Sequence, residues 1–195
     1  MEITHLVMCD EHVMLSAFSQ LGDIDLSTRG NSEWRMGTAR SYGKEFPVII
    51  NDGGQLEKMM WPIGEETQSV APAAPAPSLD WFPEQRALIP VIGYRARLAS
   101  ASGIPQYKAV KATKHNEIFF IAAYYHSTGD YQRPVSVRPA FIEASGDRTA
   151  WATSEPLVLS ADSARAWLFP QEGFSPTAEN ESLVSSDFRR ELVSS

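Results

Sequence analysis

Short apolar runs, more than long amphipathic stretches, set the pattern of this chain. Arg86 to Arg97 reads Arg-Ala-Leu-Ile-Pro-Val-Ile-Gly-Tyr-Arg-Ala-Arg. Leu88, Ile89, Val91 and Ile92 predict a buried strand bounded by charge and by Gly93. Pro90 cannot donate a ladder hydrogen bond, which predicts an edge strand or a bulge. Gly93 predicts a bend or the close approach of another segment, and Tyr94 to Leu98 continues extended. Glu117 to His126 carries Ile118, Phe119, Phe120, Ile121, Tyr124 and Tyr125. It is apolar on both parities, as a central strand covered on both faces should be. Phe46 to Ile50 and Gln55 to Trp61 flank Asn51-Asp52-Gly53-Gly54, a strand, a hairpin turn and a returning strand. Ile3 to Met8, Gln106 to Ala112, Pro134 to Glu143 and Glu155 to Leu159 are the remaining strand segments.

Helical signals are fewer. Ser160 predicts an N-cap for a helix to Leu168, with Ala164, Trp167 and Leu168 inward and Pro170 closing it. Asp10 predicts a cap for Glu11 to Leu21, where Met14, Phe18 and Leu21 share a face and Gly22 ends the turn. A short helical turn over Asp80 to Arg86 could follow Ser78. Asp23 to Gly37 is polar and turn-rich, a loop with a short strand near Trp34. Thr67 to Ser78 contains Ala-Pro-Ala-Ala-Pro-Ala-Pro, which predicts an extended polyproline loop over the surface. Residues 171–195 form a polar tail, expected to be in part disordered, with one helix near Asp187 to Val193. The fold class is α+β: a single β-rich domain over residues 1–170, with a mostly antiparallel sheet or barrel-like core and two or three helices.

Composition narrows the function. The chain has 195 residues and a formal net charge of -7, so no global basic field attracts nucleic acid and any such surface must be local. One cysteine, Cys9, rules out an intrachain disulfide and fits a reducing, cytoplasmic setting. No apolar run reaches the length of a transmembrane helix, and the first residues lack the pattern of a signal peptide. His5, His12, His115 and His126 have no metal-ligand spacing, so neither a metal nor another cofactor is expected. There is no phosphate-binding Gly-rich loop ending in Lys-Ser or Lys-Thr, and no Gly-x-Ser-x-Gly.

Three features could carry chemistry. Cys9 is either a small buried hydrophobe at a strand–helix junction or a nucleophile whose pKa a helix N-terminus would lower. Trp61 is either a partly buried aromatic or a base-stacking platform. Arg95 and Arg97 share one face of their strand. They are either a solvated face or, with Lys108, Lys111 and Lys114, the wall of a basic groove.

The Arg86 strand also resembles the Arg-Cys-Leu-Ile-Pro-x-x-Gly-Phe-Tyr-Glu-Trp strand of the SRAP family (SOS response-associated peptidase domains). Arg86, Leu88, Ile89, Pro90 and Gly93 match by identity and Tyr94 by type. Met8-Cys9 resembles the family start Met-Cys-Gly-Arg. Arg40 with Pro47-Val48-Ile49 resembles the Arg-Tyr-Asn-Ile-Ala-Pro segment and the Pro-Val-Ile after it. Met60-Trp61 is similar to Met-Arg-Trp-Gly-Leu. Phe119 to Tyr124 takes the place of the family's long apolar strand. Pro156 to Leu159, then Ala166-Trp167-Leu168, follows the family's closing strand and helix. The resemblance covers about residues 8 to 169. It implies an N-terminal cysteine whose amine and thiolate capture the aldehyde of an abasic site in single-stranded DNA, closing a thiazolidine. For Cys9 to act so, the mature chain must begin there. It also implies DNA contacts from Trp61, Arg40, Arg95 and Arg97. The chain departs from the family where the chemistry lies. The Asn-Ala-Arg-Ala-Glu segment is missing, Ala96 replaces the glutamate, and Ala152 and Ser154 replace the histidine and an arginine. The resemblance therefore implies a divergent, catalytically degenerate protein that binds single-stranded or abasic-site DNA in a DNA-damage setting. A non-enzymatic interaction protein on the same scaffold, phage-derived and without a DNA role, is the other reading.

Overall fold

The computed structural model describes residues 2–7, 21, 24–29, 39–41, 45–52, 55–62, 86–98, 106–112, 118–127, 134–144, 154–170 and 184–187. Two large sheets and a two-stranded pair hold the described strands. One has five strands, β1 (Glu2–Val7), β3 (Ala39–Ser41), β7 (Gly93–Leu98), β8 (Gln106–Ala112) and β14 (Val184–Asp187), in the order β14-β8-β7-β1-β3. The other contains β2 (Ile24–Arg29), β4 (Glu45–Asp52), β5 (Gln55–Pro62), β6 (Arg86–Val91), β9 (Phe119–Ser127) and β10 (Pro134–Pro139), in the order β10-β9-β6-β4-β5-β2, with β13 (Val158–Leu159) also on β9. β11 (Phe141–Glu143) and β12 (Ser154–Pro156) form a separate pair. Among the described strands every pairing is antiparallel except β2 with β5. The protein is thus a mostly antiparallel β-sheet structure with the helix Ala161–Leu168 packed on it.

Side-chain parity builds three layers. Val48, Ile50, Ala87, Ile89, Val91, Phe119, Ile121 and Ala123 face Ile3, Leu6, Tyr94, Ala96 and Val110 of the five-stranded sheet. The alternate residues Ile49, Leu88, Phe120 and Ala122 face the other way, onto Leu157, Leu159, Ala164, Trp167 and Leu168. β6 and β9 are therefore apolar on both parities because both of their faces are covered. In the five-stranded sheet, β7 alternates buried Tyr94, Ala96 and Leu98 with exposed Arg95 and Arg97.

The helix follows its sequence signals. The Ser163 N–H donates to Ser160 Oγ at 3.5 Å as an N-cap, and Ala164, Trp167 and Leu168 are buried. Asn51 Nδ2 donates to the Leu168 carbonyl at 3.1 Å, and an Arg165 guanidinium N–H donates to the carbonyl of Leu21, a buried helical residue. Both bonds tie the last turn to distant segments, where helix carbonyls lack partners of their own.

Several expectations need correction. Pro90 does not make β6 an edge strand: β6 lies between β4 and β9. Its ladder to β4 covers only Ala87 and Leu88, so Pro90 falls past the end of that pairing. The loop expected over Asp23 to Gly37 contains β2, where Ile24, Leu26 and Thr28 alternate with Asp25, Ser27 and Arg29. The turn after Ile50 is tighter than its composition predicts, since Asn51 and Asp52 stay in β4 and Asp52 pairs with Gln55. Pro134 to Glu143 and Glu155 to Leu159 each break, at Ala140 and Leu157. There the Leu157 N–H donates to Ala140 O and the Ala140 N–H to Ala122 O, both at 2.8 Å. Part of the polar tail forms β14 on the edge of β8. The helix over Glu11 to Leu21 apart from Leu21, the strand near Trp34, the Pro/Ala loop and the turn after Ser78 lie outside the described residues. So does the tail helix after Asp187.

Gly93 does serve a close approach. A Cβ built there would sit 2.7 Å from the Val110 carbonyl oxygen and 3.6 Å from Lys111 Cγ. The first obstacle is backbone, which cannot swing aside as a side chain can. Gly93→Ala should therefore cost about 1–3 kcal/mol, the range for overpacking a well-packed site. The check is a lower urea midpoint with an unchanged slope; an unchanged midpoint would mean that β8 moves away freely.

Candidate nucleic-acid interface

β7 and β8 run antiparallel with Gly93 opposite Lys111, Arg95 opposite Ala109, and Arg97 opposite Tyr107. Paired residues point to the same side of a sheet, and so do residues two apart along a strand. Arg95, Arg97, Tyr107 and Lys111 therefore share one face, and the same rows run to Glu2 on β1, opposite Arg97, and to Asp187 on β14, opposite Ala109. Arg95, Arg97 and Lys111 are exposed, and Tyr107 is half-buried. The row through Arg95 continues to His5 on β1. There Thr4 Oγ1 donates to the Arg95 carbonyl at 3.2 Å and lies 3.2 Å from His5 Nδ1. The Lys111 stem passes close to Gly93, with Cγ 3.6 Å from where a Cβ on Gly93 would sit.

Lys108 does not join this group. It pairs with Ala96 and is 3 % exposed, pointing with Tyr94 and Val110 towards the core. Lys108 and Lys111 have opposite parity, so one strand cannot present both to a single groove. Lys108 and Glu155, also buried, are each engaged by neighbouring groups, as buried charges must be. Lys114 and Cys9 lie outside the described residues.

The expected DNA contacts are only partly gathered. Arg95 and Arg97 stand on one face of β7. Arg40 is in the same sheet, on β3, but its register partner is Leu6, and Leu6 in turn pairs with Tyr94. That places Arg40 in register with Leu6 and Tyr94, one step off the row of Arg95, which runs through His5 to Ser41. Trp61 is in the other sheet, on β5 opposite Phe46. Lys111, expected beside Arg95 and Arg97, does share their side; Tyr107 is absent from the expected contacts, and alternation along β8 puts it on one side with 109 and 111.

Among the described residues no group of three or more His, Cys, Asp or Glu is placed to hold a metal ion, and no helix is long and apolar enough to cross a membrane.

No family model matches the chain, and no curated protein matches it in sequence. Solved structures do match in fold. The chain is similar to a phage-related protein from Bordetella bronchiseptica, at 14% identity and a TM-score of 0.59, over 94% of this chain and 92% of that one. It is also similar to a protein from Bacteroides thetaiotaomicron, at 14% identity and a TM-score of 0.56, over 88% of this chain and 82% of that one. The class defined is thus a β-rich fold shared with a phage-related protein.

Proposed function

We propose that this chain is a divergent SRAP-like α+β domain that binds single-stranded DNA, near damage or abasic sites, without cross-linking to it. The observation that carries the reading is the gathering of exposed Arg95, Arg97 and Lys111 on one sheet face of a chain whose net charge is -7. Cations held together against such a balance suit a polyanion. The family resemblance supplies the DNA context. The absence of its glutamate, at Ala96, favours binding over chemistry: Ala96 is buried and without a proton to give. Cys9 is the chain's one thiol, and its amine is bound in a peptide as long as β1 precedes it.

The test is binding of a fluorescent oligothymidine across a salt series. Three phosphate contacts on a single strand give a slope of roughly -2 in log K against log salt, and about a tenfold or greater loss between roughly 50 and 200 mM. Arg95→Gln with Arg97→Gln should lower that slope by about 1.4. Absence of binding at low salt would turn the reading over to a phage-derived interaction protein on the same scaffold, which the likeness to a phage-related protein also favours.

A further inference from the structure

The sheet face of Arg95 and Arg97 holds an aromatic ring that the DNA contacts implied by the family do not include. Tyr107 is directly opposite Arg97 across the β7–β8 ladder. It is half-buried, so part of the residue stays accessible. The next outward position along β8 is Ala109, too small to cover an aromatic neighbour, and the one after it is the exposed Lys111. Outward residues on one strand recur at roughly 7 Å, and neighbouring strands lie about 4.8 Å apart. These rows therefore offer a ring, a guanidinium beside it, and a second and third cation one and two steps further on, with the acidic positions Glu2 in register with Arg97 and Asp187 in register with Ala109 at the two ends of the rows. An aromatic on a sheet face with cations near it is an arrangement that binds single-stranded nucleic acids, bases stacking on rings while phosphates follow the charge.

We propose that Tyr107 is the base-stacking platform for single-stranded DNA on this face, with Arg97 beside it on β7 and Lys111 further along β8 holding the backbone. The proposal rests on the DNA-binding reading above but makes its own demand: part of the affinity must come from a base, not from phosphate. The phenol ring has few rotamers to lose on binding, so an anchored tyrosine stacks at low entropic cost. The competing account is that Tyr107 is only a cross-strand partner that stabilises the ladder with Arg97.

The experiment compares two strands of equal length, oligothymidine and a strand of abasic tetrahydrofuran units, which keeps the phosphates and lacks the bases. The wild-type chain should bind oligothymidine about 5- to 150-fold more tightly than the spacer strand, the range for one stacked base. Tyr107→Ala should bind both strands alike, with the spacer affinity and the salt slope of the wild type. Tyr107→Phe should restore the preference, because it keeps the ring. Retained affinity for the spacer strand shows that Tyr107→Ala is folded. A Tyr107→Ala chain that still prefers oligothymidine would overturn the proposal. So would a wild-type chain that binds both strands equally with a clear salt slope, in which case DNA binding stands and stacking does not. A wild-type chain that binds neither strand would overturn both.

Discussion

Trp167→Ala should lower the stability of the protein by about 3–5 kcal/mol, the usual cost of removing a large buried aromatic side chain. That is a large share of the roughly 5–15 kcal/mol that holds a typical domain folded. Trp167 is fully buried and joins three elements. Its Nε1–H donates to the Ala87 carbonyl at 3.0 Å. Its ring meets Tyr124 edge-on at 5.4 Å between centroids. The Arg86 guanidinium lies 4.6 Å from the ring centroid and donates from Nη1 to the Trp167 carbonyl at 3.2 Å. Arg86 is itself only 6 % exposed, so the loss of the ring strips a buried cation of part of its setting, a cost beyond the cavity. Trp167→Phe separates the contributions. It keeps most of the ring and removes the indole donor, which should cost roughly 1–3 kcal/mol for the carbonyl it leaves behind. Urea unfolding followed by circular dichroism measures both. A Trp167→Ala protein within about 1 kcal/mol of the wild type would show that the helix is not anchored through this residue.

The same residues explain what the sequence made legible. Ser160, Ala164, Trp167 and Leu168 announce a capped helix with an apolar side through local spacing alone, and the helix forms over Ala161–Leu168. The double-sided apolar pattern of Phe119 to Ala123 announces a strand with two covered faces, and all five residues are buried. Local spacing says nothing of partners far along the chain. β14 pairs with β8 across some seventy residues, and β3 is a three-residue strand defined by its register with β1. Neither leaves a period to detect. Pro90 misleads for a related reason. The rule that proline avoids central strands is about ladder donors, and here the ladder on one side stops before proline is reached. In the candidate interface, the shared face of Arg95 and Arg97 follows from alternation within one strand. Alternation along β8 likewise puts Tyr107 with Lys111 and Lys108 on the other side, but that the first pair shares the side of Arg95 requires the register of two strands.

A chain begun at Met8 should fail to fold, and that outcome bears directly on the chemistry of Cys9. β1 (Glu2–Val7) is no appendage. It lies between β7 and β3 in the five-stranded sheet, and its Val7 carbonyl accepts from the Ile92 N–H at 3.0 Å where β6 passes into β7. Ile3 and Leu6 are 1% and 3% exposed. Losing those two side chains alone costs about 3–6 kcal/mol. It also uncovers Tyr94 and Ala96 and leaves β3 without the strand it pairs with, so the total should approach or exceed the stability of an ordinary domain. The thiazolidine reaction implied by the SRAP resemblance needs a cysteine with a free α-amine. For Cys9 that amine exists only where β1 is no longer joined to it, so a chain made to begin at the reactive terminus lacks a strand of the sheet. The full-length protein should accordingly give no heat-stable product with an abasic oligonucleotide on a denaturing gel. Cys9→Ser should bind oligothymidine with the affinity and salt slope of the wild type. The Met8 chain should show a lost or broadened thermal transition by circular dichroism. A Met8 chain that melts cooperatively near the wild-type temperature and cross-links abasic DNA through Cys9 would reverse the argument, making β1 dispensable and Cys9 a nucleophile.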